Sequence, residues 1–185
     1  MRLLKNRAFA IFITVVIVIL TALFGIQRSL NRLAADVEAM FYEGVYLESE
    51  GYTQPSIDSQ LQIRANGALA LATVMEGYPD LADEAETLLS ARRDLISAKS
   101  IRDKHSANER MQRAFTTLTA KAGTLDLTER DKEDIDRYIS TFQGAQTAIL
   151  GSLYNQKALF FMDDASFIAH VLRPFLFVTP PQSFV

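Results

Sequence analysis

An uninterrupted apolar segment constrains this sequence more than any other feature. It extends from Ala8 to Ile26, is about 19 residues long without a charged side chain, and is flanked by Arg7 and Arg28. At about 1.5 Å of rise per residue, a helix of this length crosses the roughly 30 Å hydrocarbon core of a bilayer. We therefore predict a transmembrane anchor that contacts the lipid bilayer. Its representative residues are Ala8, Ile11, Val15, Val18, Leu23 and Ile26.

A cleaved signal peptide and a buried core helix are the alternatives for this segment. A signal peptide has an apolar run of about 7–15 residues and a small-residue cleavage site, and this run is longer and lacks a good small pair at its end. Apolar positions also continue at helical spacing beyond the run, which favours one helix that leaves the bilayer and enters a soluble bundle. These positions are Leu30, Leu33, Ala34, Val37, Phe41 and Val45.

The basic residues that flank the anchor predict its orientation. Arg2, Lys5 and Arg7 precede it, whereas Arg28 and Arg32 follow it. Basic residues are enriched on the cytoplasmic side of a membrane span. We therefore predict that the N-terminus is cytoplasmic and that the remainder of the chain lies outside.

The charge of the chain excludes some classes of partner. Without the three basic residues before the anchor, 16 basic residues stand against 22 acidic ones, a net charge of about −6. An acidic domain disfavours binding to nucleic acid and to anionic lipid headgroups. The chain has no cysteine, so neither a disulfide nor thiol chemistry is available.

Beyond the anchor, the sequence predicts an all-α fold, in which the transmembrane helix continues into an antiparallel bundle of about four long helices. We find no strand-like alternation of useful length, and we expect the stretch from Lys99 to Arg110 to project past the bundle or to bend. The expected helices run to about Leu47, from Ile57 to about Glu76, from near Leu81 to Gly123, from Thr128 to about Met162, and from Asp163-Asp164 to about Leu172. The expected organisation is a basic flank (1–7), the anchor (8–26), the bundle (27–172) and an extended, proline-containing tail (173–185).

Several local signals support these helix boundaries. Ser56, Asp80 and Thr128 are expected N-caps, and Asp131 completes an acidic variant of the capping box with Thr128. Gly144 and Gly151 lie one heptad apart in the last long helix, and each destabilises a helix by about 1 kcal/mol relative to alanine. We therefore expect a close helix crossing there.

Motifs in the soluble part resemble those of the LemA family. Ile57-Asp-Ser-Gln-Leu-Gln-Ile-Arg64 is similar to the Ile-Asp-x-Gln-Leu-x-x-Arg run that opens a long helix in that family. The resemblance continues with Gly77-Tyr78, Ala91-Arg92, Tyr154-Asn155, Phe161, Phe167, Ala169 and Phe184. The chain departs from the family pattern in four places. Asn66 to Leu71 lacks a proline, and Gly123 to Thr128 replaces a Tyr-Pro segment. The arginine that usually precedes Tyr-Asn is missing, and Asp163-Asp164 stand near the usual place of a Phe-Pro pair.

The resemblance implies a membrane-anchored helical domain of the bacterial envelope, in the inner membrane, without an established enzymatic activity. Some members of the family are linked to membrane organisation, including magnetosome formation, and others to envelope proteolysis as partners of proteases. These implications concern the family and do not follow from the spacing of residues in this chain.

No set of residues predicts a catalytic, cofactor-binding or metal site. His105 and His170 stand in no metal-binding pattern, and we interpret them as a surface residue and a residue of a short amphipathic helix. The acidic residues around Asp131 lack the glycine turn of a calcium loop, so we interpret them as a solvated first helical turn. Arg92 and Arg93 are interpreted as a solvated surface pair.

The segment from Phe160 to Phe177 is the most suggestive candidate for a contact surface. It is rich in phenylalanine but too charged to span a membrane. One interpretation is that it caps the bundle, and the alternative is that Phe167, Phe175 and Phe177 form an exposed patch that contacts a partner or lipid.

Two functional hypotheses follow from these observations. The first is a non-enzymatic, membrane-anchored scaffold or adaptor that binds envelope proteins of unknown identity through its bundle, with homo-oligomerisation left open. The second is a ligand-sensing ectodomain built as a four-helix bundle. Receptors of the second kind normally carry a second membrane span, and these 185 residues contain one such segment.

Overall fold

The computed structural model describes residues 7–161, 181, 182 and 184. They form an all-α bundle with a long apolar N-terminal helix and one small hairpin. The elements are α1 (Arg7–Glu43), β1 (Val45–Leu47), β2 (Tyr52–Gln54), α2 (Ile57–Met75), α3 (Ala82–Ser97), α4 (Ile101–Ala122), α5 (Glu129–Leu150) and α6 (residues 153–161). A 3-10 turn (Pro79–Leu81) precedes α3.

Helix α1 is long and apolar enough to span a membrane. It has 37 residues, and Phe9–Glu43 contains a window of mean hydropathy 2.9 in which no residue is buried. Large apolar side chains are therefore exposed along the helix, including Ile11 (63%) and Phe24 (66%). Transfer of such side chains from water to hydrocarbon is favourable, so this surface suits a lipid environment.

The end of α1 differs from the sequence prediction. The helix ends at Glu43, and Gly44 follows with a φ of +83°, a conformation that β-carbon-bearing residues rarely adopt. A β-carbon at Gly44 would lie 2.4 Å from the Gln54 carbonyl oxygen. The chain then forms an antiparallel hairpin in which Val45 pairs with Gln54, so both the expected helix to Leu47 and the expected absence of strands are wrong.

Helix α2 matches its prediction closely. Ser56 caps it by accepting a hydrogen bond from the Ser59 backbone N–H at 3.1 Å, and Asp58 places a negative charge in the first turn. The expected apolar face is buried: Ile57, Leu61, Ala68, Leu71 and Met75.

The expected third helix consists of two antiparallel helices. Ala98 adopts an extended conformation after α3, and Ser100 caps α4 by accepting from the Asp103 backbone N–H at 3.0 Å. The stretch predicted to project or bend therefore contains a reversal of the chain. Asp80 is not the cap of α3, because it lies within the 3-10 turn and Leu81 occupies the N-cap position.

The start of α5 is confirmed and its end is wrong. Thr128 accepts from the Asp131 backbone N–H, as in the expected capping box, but α5 ends at Leu150 and α6 begins at residue 153. A β-carbon at Gly144 would meet nothing within 4 Å in the described part of the chain, so no close helix crossing occurs there.

Four helices of the bundle alternate in direction. Helix α2 packs against α3 and α5, and α3 packs against α4. The Tyr78 hydroxyl, after α2, donates to Asp131 at the start of α5 over 2.5 Å, and Lys121 at the end of α4 pairs with Glu84 at the start of α3. These contacts identify the α2–α5 and α3–α4 pairs as antiparallel.

The chain divides into two compact units. Of the described residues, one unit contains 7–38, 157–161 and Pro181, and the other contains Ala39–Gln156 together with Gln182 and Phe184. The second, which we call the bundle unit, contains α2 to α5 and the hairpin.

Candidate functional site

The most unusual residue of the bundle unit is a charged one in its core. Arg64 on α2 is 0% exposed. Its guanidinium donates hydrogen bonds to the side-chain oxygens of Asn108 and Gln112 on α4 and of Gln146 on α5. Neutral amides from two helices therefore hold one cation from a third.

Aromatic rings cover one face of this cation. The Cζ atom of Arg64 lies 4.1 Å from the centroid of the Phe142 ring. Phe142 in turn stacks on Phe115 with a centroid separation of 3.8 Å and an interplanar angle of 2°. A cation over an aromatic face is attracted by the ring quadrupole, and the attraction grows when water is excluded. The layer of guanidinium and two rings joins α2, α5 and α4.

Burial dominates the electrostatics of Arg64. It lowers the pKa of the guanidinium to about 10, and the negative charge of Glu109 opposes this shift. The residue is therefore cationic at neutral pH. In the part of the chain that the structure describes, no carboxylate is hydrogen-bonded to it and its Nε atom has no hydrogen-bond partner. A buried charge with only neutral partners is destabilising unless its hydrogen bonds are well formed.

Arg64 is the last residue of the LemA-like motif, and its place in the core was not predicted from the sequence. A signal was available, because Arg64 lies three residues after Leu61 and four before Ala68, on the buried face of α2. The residue type argued against burial, since arginine is almost never fully buried unless it is paired.

A groove runs along the outer surface between α3 and α4. Its volume is about 760 Å³. Small side chains form its floor, and charged side chains of opposite sign rise on its two sides. The floor contains Thr87, Ser90, Ala91, Ala114 and Thr117; the α3 side carries Asp83, Glu84 and Asp94, and the α4 side carries Arg110 and Arg113.

Ion pairs across the groove join its two sides. Arg110 contacts Asp94 at 3.3 Å, and Lys121 binds both oxygens of Glu84 at 2.7 and 2.8 Å. The hydrogen bond from Lys121 lowers the pKa of Glu84. A second groove of about 420 Å³ shares Asp94 and Arg110 with the first and extends it toward the α3–α4 turn. The small side chains of the floor let a second helix approach closely. The axes of packed helices lie 8–10 Å apart, and the distance depends on the side chains at the contact.

The residues predicted as membrane anchors all lie on α1. Ile11, Val15, Val18 and Ile26 are exposed, Leu23 is half-buried, and Ala8 is helical. Of the aromatic candidates near the other end of the chain, Phe167, Phe175 and Phe177 lie outside the described residues. Phe160, which starts that segment, is 65% exposed.

Two interpretations of individual polar residues require correction. His105 is half-buried and packs edge-on against Phe184 at 5.3 Å, so it is not a solvated surface residue. Arg92 is half-buried and donates from Nε to the Ala65 carbonyl at 2.9 Å, whereas Arg93 is exposed and pairs with Glu86. Within the described ranges, no three or more His, Cys, Asp or Glu side chains are grouped as a metal site would require.

Several of the residues that carry the LemA-like pattern are buried, whereas Gly77 is exposed and Tyr78 is half-buried. Arg64, Ala91, Tyr154, Asn155 and Phe161 are all buried, and Phe184 is 1% exposed. Conserving such positions would maintain packing. Comparison of this chain with protein-family models, with curated proteins and with solved structures finds no match. Membership of the LemA family therefore stays a prediction.

Proposed function

We propose that this chain is a non-enzymatic, membrane-anchored adaptor of the bacterial envelope, which binds a helix of a partner protein in the groove between α3 and α4. The observation that carries the proposal is the groove itself, which has a volume of about 760 Å³, small lining residues, and charges of opposite sign on its two sides. The exposed apolar surface of α1 supports the membrane anchor. The inner membrane, a cytoplasmic N-terminus and a LemA-type relationship belong to the same proposal.

The charges of the groove define the partner. A helix that fits carries small or polar residues on the face that meets Ser90 and Ala114. It presents a basic side chain toward Asp83 and an acidic side chain toward Arg113, since Asp94 and Glu84 already form ion pairs with α4. Complementary charges at an interface raise the association rate and fix the register of binding more than they raise affinity. Binding should therefore weaken as the salt concentration rises.

Site-specific photocrosslinking of the full chain in native membranes tests this proposal. A photoreactive amino acid at Ser90, in the groove, is compared with one at Ser140, an exposed serine on α5. We expect crosslinks to a defined protein from Ser90 but not from Ser140. The crosslinks should disappear on Arg113→Glu and at high salt. Equal crosslinking from both positions, or crosslinks that charge reversal leaves unchanged, would contradict the proposal.

The ligand-sensing alternative has its own supporting observation, which is Arg64. A buried cation held only by neutral amides, with a free Nε atom among the described residues, is a potential partner for an anionic group. If this alternative is right, small carboxylates or phosphate should stabilise the protein against thermal unfolding, and Arg64→Met should remove that effect. An unchanged melting temperature at millimolar anion argues against it.

A further inference from the structure

Gln182 and Phe184 occupy a socket in the bundle unit. We define the socket as the rings of Phe41, Tyr154 and His105 together with the first turn of α4. Phe184 is 1% exposed in the socket. Its ring centroid lies 5.5 Å from that of Phe41 and 5.3 Å from that of His105. The socket therefore removes a whole aromatic side chain from water.

Two hydrogen bonds fix Gln182, two positions before Phe184, in the socket. The side-chain Oε1 atom of Gln182 accepts from the backbone N–H of Arg102 at 2.8 Å. This N–H lies in the first turn of α4, where backbone donors have no carbonyl partner within the helix. The backbone carbonyl of Gln182 accepts from the Tyr154 hydroxyl. A side-chain amide, a backbone carbonyl and an aromatic ring are thus each bound by a different group.

The contacts combine a hydrogen bond to the backbone of the segment, one to a side-chain amide and the burial of one aromatic ring. Main-chain hydrogen bonds contribute affinity in peptide complexes, and pockets for particular side chains contribute specificity. In the sequence, 19 residues lie between Phe161 and Pro181, so Gln182 and Phe184 are distant from α6 along the chain.

We propose that the socket is a binding site for a short peptide with glutamine followed two positions later by phenylalanine, and that this segment of a second copy of the chain can fill it in place of the chain's own. Every copy carries both the socket and the peptide, so an exchange between copies retains all of the contacts described above. Segment exchange of this kind is a route to dimers that requires no new surface. The proposal does not depend on the groove between α3 and α4.

A synthetic peptide tests the recognition. The full-length Phe184→Ala variant in detergent micelles has an unfilled aromatic position, and it is titrated with a labelled peptide of sequence PQSFV, matching residues 181–185. We expect PQSFV to bind this variant about 10-fold or more tightly than PQSAV, since burial of a phenylalanine side chain favours binding. Wild-type protein should bind PQSFV more weakly than the variant, because its own segment competes.

A second variant covers the case in which Phe184→Ala fails to fold. Gln182→Ala retains the phenylalanine and loses the hydrogen bond to Arg102, so PQSFV should displace the weakened segment, while PQSAV and PASFV should not. Equal binding of PQSFV and PQSAV to a folded variant, or no binding of PQSFV to either variant, would overturn the proposed recognition.

Co-purification tests the exchange between copies. Affinity-tagged Phe184→Ala is co-reconstituted in lipid vesicles with untagged chain that is either wild type or Phe184→Ala, and the vesicles are then dissolved in mild detergent. We expect the tagged variant to retain about 5-fold more untagged wild type than untagged variant, and excess PQSFV to remove the difference. Equal retention would show that the socket binds only its own segment, and would overturn this part of the proposal even if the peptide binds.

Discussion

Helix α1 and the core of the bundle unit invert the usual distribution of side chains. On α1, isoleucine, valine and phenylalanine side chains are exposed over most of the first five turns, whereas the bundle core contains the fully buried guanidinium of Arg64. Apolar exposure is unfavourable in water but favourable in hydrocarbon. A buried charge is unfavourable unless hydrogen bonds and an aromatic face replace its hydration.

The exposed apolar surface of α1 and the buried charge of Arg64 differ in what compensates for them. Within the apolar window of α1, no residue is buried among the described part of the chain, so a bilayer would compensate for the exposure of this surface. The charge of Arg64 is compensated inside the chain, by hydrogen bonds to Asn108, Gln112 and Gln146 and by the ring of Phe142. Substitutions that change polarity on α1 and at Arg64 therefore test the two kinds of compensation separately.

The largest effect is expected for charges placed in the middle of α1. In the double variant Val15→Arg/Val18→Arg, each arginine should oppose membrane insertion by about 2.5–3.5 kcal/mol. We expect most of the protein to leave the membrane fraction after carbonate extraction, whereas Val15→Leu/Val18→Leu stays with it. If the arginine variant also stays in the membrane fraction, α1 is held there by something other than lipid. The interpretation of its apolar surface as a membrane anchor would then be contradicted.

Removal of the buried charge should have the next largest effect. Arg64→Ala leaves a cavity beside Phe142 and deprives three amide oxygens of their donor, so we expect a loss of about 3 kcal/mol in the free energy of unfolding. Denaturant titration of the full chain in detergent, followed by circular dichroism, measures this loss. Arg93→Ala is the matched control, and a change within about 0.5 kcal/mol is expected there because Arg93 is exposed.

A second substitution separates the charge from the volume of the side chain. Arg64→Met retains much of the packing but removes all hydrogen bonds to the amides. If it is as stable as wild type, the cation is not required for stability, as found for some buried ionic groups in other proteins. The remaining role of Arg64 would then be to select one helix arrangement or to bind an anion.

The helices that were predicted correctly are those whose hydrophobic pattern extends over many residues. The long apolar run and the periodic face of α2 are repeated over many residues, and both predictions of helix are confirmed. The breaks at Gly44, Ala98 and Gly151 each depend on one or two residues, and each was misjudged. An isolated glycine or serine within a helical pattern is compatible with either a continuing or an ending helix.

The candidate sites were harder to predict than the fold. The groove, the socket and the Arg64 cluster each join residues that are distant in the sequence, such as Arg102 with Gln182 or Arg64 with Gln146. Helical periodicity identifies which residues share a face, but not which faces of different helices meet. Phe184 illustrates the limit, because its burial beside His105 depends on contacts between residues about 80 positions apart.

The contribution of the surface carboxylate of Asp131 to stability should depend on pH at acidic pH, unlike that of the buried Arg64. The hydrogen bonds from Tyr78 and then Thr128 lower the pKa of Asp131 below its ordinary value of 3.8. A carboxyl group whose pKa is depressed by folding stabilises the folded state above its unfolded pKa, and this stabilisation is lost as the pH falls through the folded value. We therefore expect wild type to melt above Asp131→Asn at pH 7 and the difference to shrink below pH 4, measured by thermal denaturation. A difference that is constant with pH would assign the effect to packing of Tyr78 rather than to the carboxylate.

The smallest effect is expected for a substitution at Gly144. It tests whether the exposed face of α5 faces water, in contrast to the exposed face of α1, which we propose faces lipid. A β-carbon there meets nothing within 4 Å among the described residues. Alanine should therefore stabilise the helix by about 0.5–1 kcal/mol without a steric penalty. Gly44→Ala is the contrasting control and should destabilise the protein, because its φ is +83° and the new β-carbon would collide with the Gln54 carbonyl oxygen. Destabilisation by Gly144→Ala would instead mean that a neighbour approaches α5 at this glycine, and the face would then be a contact surface whose partner lies beyond the described residues.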